Sequence, residues 1–390
     1  MTQPRANFNP MLHSKQILDT LCMVLEAHLP LELQGTRIQA RQVWQVLCDA
    51  SVHQVSIEAS CQRLAQAPSG NRLREVLLPA LPNRCQLQDE LNQALQAQLP
   101  RVLFKGKRSY HVAADITLIP YHGQPQQAAS EVLRAQAKCG TNHFHGYATL
   151  SIVHHAQRFV LALHFVRLHE RMHEILDELL ERVKGLKIRV RRIYLDKEFY
   201  SLAVLRSLRA RQLSYILPIP VRAKAKEIVR VCQGRKSHFA RYRVHSQARE
   251  TETVRVAVVK RNRRPGQRKV VRWFVYALAG LPARLLPQQV FQLYRQRFGI
   301  ESCYRQMNQL RARTSSRSPV LRLLLLGLAL LLINLYIALR QSLRSRPTPA
   351  RNRRRVWLTL KRLASLLAQA VEALYGLAPL IQVLPLPTFS

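Results

Sequence analysis

The chain has 390 residues, 47% of them apolar, which is enough for two or three domains with cores of their own and excludes a disordered protein. Its 61 Lys and Arg stand against 22 Asp and Glu, a net charge of +39. That excess runs along the whole chain rather than in one lipid-binding patch, so it points to a nucleic-acid partner whose counterions are released on binding. Seven cysteines scattered without a CxxC pair exclude a disulfide framework and a zinc knuckle and suit a reducing cytosol. Residues 1–16 hold no apolar signal segment, and the expectation is a cytoplasmic protein.

In chain order, apolar spacing predicts short helices over residues 17–27, 43–50, 57–65 and 87–99. Residues 1–105 then form a helical N-terminal domain carrying Arg37, Arg41, Arg63, Arg72 and Arg74, for which DNA binding and plain packing both stay open. From residue 110 the texture changes to strands over 110–120, 145–154 and 158–168, a helix over 170–184, a strand over 190–195, a helix over 201–211 and a strand over 213–219. Three hairpin-linked antiparallel strands followed by parallel ones on crossover helices is the RNase H-like order, which predicts a mixed α/β core beginning in residues 106–220.

Residues 221–285 read as a β-rich insertion, with strands over 241–244, 253–260 and 270–279 and a basic turn over 261–268. Residues 286–340 complete the core with a helix over 287–310 and an apolar helix over 320–339, and 341–390 form a basic linker (346–355) and a C-terminal helix (356–375). The apolar helix is long enough to span a bilayer. It stands alone, however, with Arg on both flanks and no charge bias between them, so a buried core helix is expected and no membrane.

Acids are scarce. Six Asp occur, none beyond residue 196, and between Thr253 and Val371 the only acid is Glu301. Phosphoryl transfer on DNA needs two divalent ions about 3.5–4 Å apart, one for the attacking and one for the leaving oxygen. Carboxylate oxygens hold such ions, and in an RNase H-like sheet they come from the first strand, the end of the fourth and a later helix. Asp115 lies in the first predicted strand, in Val112-Ala-Ala-Asp-Ile-Thr117, and Asp196 ends the fourth, in Ile193-Tyr-Leu-Asp196. An Asp inside an apolar β run is tolerated mainly when a charge pairs with it.

On a helix, Tyr294, Arg297, Glu301 and Asn308 fall in an arc of about 60°, opposite Ile300, Cys303, Met307 and Leu310. The expectation is an apolar side on the sheet and an outward side that puts an acid beside phosphate-holding groups. The histidines 143, 145, 154, 155, 164 and 169 lie on or near the second and third strands without the spacing of a compact zinc site.

These motifs resemble the IS4-type transposases of bacterial insertion sequences, which carry the DDE acids and the signature Y-(2)-R-(3)-E-(6)-K with a β-rich insertion before the Glu. Tyr294, Arg297 and Glu301 match in type and spacing, and residues 115–123 (DITLIPYHG) and 195–200 (LDKEFY) look like the two Asp motifs. Asn308 stands where the family has Lys, which points to a divergent subgroup such as that of the ISH3-like elements. The likeness covers about residues 110–339.

The resemblance implies Asp115, Asp196 and Glu301 as metal ligands and catalytic residues for two Mg2+ (or Mn2+) ions. It implies Tyr294, Arg297 and, as a substitute, Asn308 as DNA contacts; Lys197 is a further candidate phosphate contact. The function it implies is cleavage and strand transfer at double-stranded terminal inverted repeats into target DNA, by a homodimer in a prokaryotic, nucleoid-associated setting. An RNase H-like nuclease without strand transfer and a catalytically inactive DNA-binding relative remain open.

Overall fold

The computed structural model describes residues 13–104, 109–125, 128–153, 158–186, 188–221, 226–246, 248–262, 271–344 and 358–379. His154, His155, the predicted linker 346–355 and most of the basic turn 261–268 lie outside the described residues. The chain divides into two compact units: Met1–Ala94 with Met307–Tyr336 and Arg346–Ser390, and Leu95–Gln306 with Ile337–Ser345.

The first unit opens with helices α1 (Ser14–His28), α2 (Ala40–His53), α3 (Ile57–Arg63), α4 (Gly70–Ala80) and α5 (Arg84–Ala97). Ser56 and Ser69 start α3 and α4 by accepting the N–H of Ala59 (3.1 Å) and Arg72 (3.3 Å). α4 is absent from the sequence reading because Gly70 and Pro79, which read as punctuation, sit inside it at its two ends.

The second unit is built on a nine-stranded sheet. β1 (Ser109–Pro120), β2 (Leu133–Lys138), β3 (Thr141–Ile152) and β4 (Val160–Val166) precede α6 (Met172–Lys184); β5 (Arg189–Tyr194), α7 (Leu202–Ala210) and β6 (Tyr215–Ile219) follow. Then come α8 (Lys226–Val231), β7 (His238–His245), β8 (Thr251–Asn262), β9 (Val271–Ala279), α9 (Pro287–Tyr294) and α10 (Phe298–Asn308). The strand order is β2-β3-β1-β5-β6-β9-β8-β7, with β4 also on β3. β1, β3 and β4 are antiparallel neighbours, while β5 is parallel to β1 and β6 to β5, as the sequence predicts.

The strands between Asp196 and Glu301 join this same sheet, because β9 pairs antiparallel with β6 from Tyr215↔Ala279 to Ile219↔Val275. Runs of buried residues in β1, β3 and β4, rather than alternation, mean that both sheet faces are covered there. α6 packs on β3 and β4. On one face, Val290 and Tyr294 of α9 and Ile300 of α10 pack against Ala113, Tyr194, Ile216, Ala257, Val259, Tyr276 and Leu278.

Two more helices follow, α11 (Pro319–Arg344) and α12 (Leu360–Tyr375). α11 contains the predicted apolar helix, and 94% of its most apolar stretch is buried inside the protein, which makes it a core helix. Gly327 explains how it packs within the first unit. A Cβ there would come within 2.5 Å of the Leu91 side chain, so the glycine lets α5 and α11 approach closely.

α12 starts at Leu360, where Thr359 accepts the Arg362 N–H (3.2 Å), and packs against α1 and α2. It brings Glu372 to Arg63 (2.6 Å), and Arg63 also pairs with the fully buried Asp49, which takes the Ser60 hydroxyl (2.6 Å). Arg63→Ala leaves Asp49 buried beside only Ser60 and His53. The expected result is a loss of about 2–3 kcal/mol of stability, read from urea denaturation.

Candidate active site

In the parallel β1–β5 pair, Ala113 lies beside Tyr194. Side chains alternate along a strand, so two residues further on Asp115 and Asp196 return to the same face and stand next to each other. Asp115 is inside β1 opposite Thr149 of β3, and Asp196 lies just past β5, where its Oδ1 accepts the Lys197 N–H (2.6 Å) and caps a short 3-10 turn. That face is the one on which α9 and α10 pack.

The helix predicted over 287–310 is not continuous. α9 begins at Pro287 as its missing N–H allows, and a 3-10 turn over Arg295–Arg297 separates α9 from α10. The break changes where the predicted stripe points. Tyr294 does not face outward: it is 8% exposed, packs in the core beneath α9, and donates its hydroxyl to the Leu195 carbonyl (3.1 Å). Arg297 is also buried, at 6% exposed. Its guanidinium meets all three predicted acids: Asp115 Oδ2 at 3.0 Å, Asp196 Oδ2 at 3.4 Å and Glu301 Oε1 at 3.4 Å.

Asp115, Asp196 and Glu301 are thus brought together from β1, the end of β5 and α10, around one cation. Asp115 is the most enclosed of them. Burial pushes its carboxyl up to about 6, against the pull of Arg297 and with the neighbouring Asp196 charge adding to the rise. Glu301 is the most open, its side chain 43% exposed. Lys197 and Asn308 are exposed, and Lys197 meets Asp196 through its backbone N–H.

Among the described residues, no three His, Cys, Asp or Glu side chains lie close enough together to hold an ion by themselves; the three acids meet on the guanidinium instead. Their donor chemistry still suits a hard divalent ion, since all three offer carboxylate oxygens and the space between them already accommodates positive charge. Elsewhere, His164 Nε2 pairs with Glu170 (2.7 Å), and His145 stacks on Tyr121, their ring centroids 4.6 Å apart.

Sequence reasoning missed Tyr304. Its hydroxyl donates to the carbonyl of Asp115 itself (2.7 Å) and lies 2.9 Å from Thr149 Oγ1. With Tyr294 on Leu195, two tyrosines tie the helices to the backbone at both aspartates. The signal was present: residue 304 is seven positions after Arg297 and three after Glu301, on the same side of the helix. Also missed was the cluster of His111, Tyr194 and Gln296, in which the Tyr194 hydroxyl lies 3.0 Å from His111 Nδ1 and 3.2 Å from Gln296 Oε1, fastening the 3-10 turn to β1 and β5.

Tyr304→Phe removes the hydroxyl without changing the packing. It is expected to cost about 1–2 kcal/mol of stability and slow cleavage at saturating DNA about tenfold while leaving the Kd for DNA unchanged, as single-turnover kinetics and binding isotherms will read.

An antiparallel β1-β3-β4 unit joined to parallel β5 and β6, with acids at the inner strand ends, is the fold of the RNase H-like phosphoryl-transfer enzymes. The transposase DDE domain family matches residues 106–335, and the chain belongs to that family. It is a DNA transposase, of a family that catalyses DNA cleavage and strand transfer and generally works with divalent metal ions. Among solved structures, the fold is similar to piggyBac transposase in a synaptic complex with hairpin DNA, at 12% identity and a TM-score of 0.58, over 98% of this chain and 86% of that one. Comparison with curated proteins gives no match.

Proposed function

We propose that this transposase mobilises an insertion sequence of the IS4 type, cutting at the element's terminal inverted repeats and joining the freed 3'-hydroxyls to target DNA. The observation that carries the reading is the convergence of Asp115, Asp196 and Glu301 on one buried guanidinium, from three separate elements, in a chain with so few acids. Those three carboxylates would hold two Mg2+ or Mn2+ ions, and when bound the ions supply activation of the attacking oxygen and charge neutralisation at the leaving one.

The protein's own groups do the rest. Tyr294 and Tyr304 hold the backbone at Asp196 and Asp115 so that both carboxylates keep one geometry. Arg297 keeps the acids from repelling one another. Lys197 and Asn308, both exposed, are the groups available to the phosphates of bound DNA. Tyr294 serves as a positioning residue rather than a surface contact, because its side chain is enclosed. The helices of residues 1–105 would read the repeats, and two copies would act together, one at each element end, in a prokaryotic cell. This assignment of partner and location rests on the family resemblance of the YR-E motif.

The test is direct. Purified protein, Mg2+, a labelled duplex carrying the inverted repeats that flank its gene, and a supercoiled target are expected to give joined products. Cleavage without joining would leave a nuclease, and binding without cleavage would leave an inactive relative.

A further inference from the structure

The sheet face that carries the carboxylates does not end beneath α9. Register fixes which side chains share it. Tyr194 pairs with Ile216, Ile216 with Leu278 and Leu278 with Arg255, and Arg255 pairs with Arg241 on β7. By alternation, Arg243 on β7, Arg261 on β8 and Arg272 on β9 share that face, and Arg261 pairs with Arg272 directly. The stacking contacts agree: Arg261 lies 4.6 Å over the ring of Phe291 on α9, and Arg255 lies 4.3 Å over Phe239 of β7.

All five arginines are exposed, and among the described residues none of them pairs with a carboxylate. Like charges directly opposite on neighbouring strands are destabilising, and here they occur twice, at Arg241↔Arg255 and Arg261↔Arg272. A fold carries such a ladder at a cost that a polyanion removes. The nearest acid of this segment, Glu252, points to the opposite face, where it pairs with Arg206 and Arg209. From Thr253 to the site itself, Glu301 is the first acid in the sequence, so α9, which lies between the ladder and the carboxylates, adds no negative charge.

We propose that the outer face of β7 and β8, with Arg261 and Arg272, is a second contact for the sugar-phosphate backbone of duplex DNA, on the same sheet face as the carboxylates. Strands are about 4.8 Å apart, so three to four strands beyond β5 the ladder lies about 15–20 Å from Asp196. That spacing corresponds to about five base pairs at 3.4 Å each. Arginines spaced along a strand meet phosphates without reading bases, so the contact adds affinity and orientation and no sequence preference. The inference rests on the transposase reading of the carboxylate site.

Binding of a 30-base-pair duplex carrying the cleavage site is measured against salt for the full chain and for the triple variant Arg241→Ala, Arg243→Ala, Arg255→Ala. The expected result is a slope of log K against log salt shallower by about 2 to 3 and an affinity about 100-fold weaker at 0.1 M salt, while the triple Lys variant keeps the slope. An unchanged slope in a variant with the parental melting temperature overturns the proposal. So does a change in light-scattering mass without a change in slope, which would make the face a self-association surface. Failure of the catalytic reading is separate: it is the case in which Glu301→Gln still cleaves, whatever the ladder does.

Discussion

Glu301→Gln is expected to abolish DNA cleavage, with a loss on the order of 10³-fold or more, while DNA binding survives. Glutamine keeps the size and one acceptor oxygen of the side chain but removes the charge, and direct metal ligation is worth several kcal/mol of transition-state stabilisation. The fold is not at risk. The side chain is 43% exposed, and its link to Arg297 is a long one at 3.4 Å, so the thermal transition is expected to move little. The measurement is single-turnover cleavage of a labelled end at saturating protein, beside a Kd from a filter-binding isotherm. Parental cleavage by this variant would remove Glu301 from the site and with it the idea that the three acids work as a set.

The same three acids show how far the residues alone could go. Asp115 and Asp196 were legible because single strands are local features: apolar runs and their spacing marked β1 and β5, and the RNase H-like succession of strands and helices implied the parallel pairing that sets the two carboxylates side by side. Glu301 was legible because a lone acid among arginines is conspicuous. The 3-10 break at Arg295–Arg297 was not, since Tyr294 to Glu301 has helical spacing either way and no Pro or Gly precedes the turn. That break turns Tyr294 into the core, whereas a continuous helix would aim it outward.

Long-range pairing was equally hidden. Nothing local says that β9 adds to β6, nor that α12 packs on α1 and α2 and closes the Asp49–Arg63–Glu372 cluster, because both depend on partners far away in sequence. Tertiary packing decided these features. The arginine ladder follows from the same hidden pairing: its members are scattered in sequence and become one surface only when β7, β8 and β9 are laid in register.

Arg297→Gln is expected to destabilise the metal-free protein by about 3 kcal/mol, toward the low end for losing one partner of a buried ion pair because Glu301 is partly open to water. Three carboxylates that share one guanidinium would be left facing one another. The sign of the pH dependence follows from Asp115, whose carboxyl already sits at about 6, above its value in an unfolded chain, because burial and the Asp196 charge favour the protonated form against the pull of Arg297. A raised folded-state value means that the folded state gains stability by protonation at low pH and loses that gain as pH rises through the folded value. Removing Arg297 takes away the main lowering influence and raises the value further, so the deficit of the variant against the parent is smaller at pH 5 and larger at pH 8. Arg297→Lys is expected to rescue only part of the loss, because an ammonium lacks the planar fork that reaches three acids at once. Melting curves in EDTA and in millimolar Mg2+ or Mn2+ make the test complete. The cation is expected to raise the transition of Arg297→Gln more than that of the parent, since it binds carboxylates no longer held by the guanidinium. Equal shifts in the two proteins, or a variant as stable as the parent at pH 8, would mean that Arg297 does not act as the resident counter-ion of these acids.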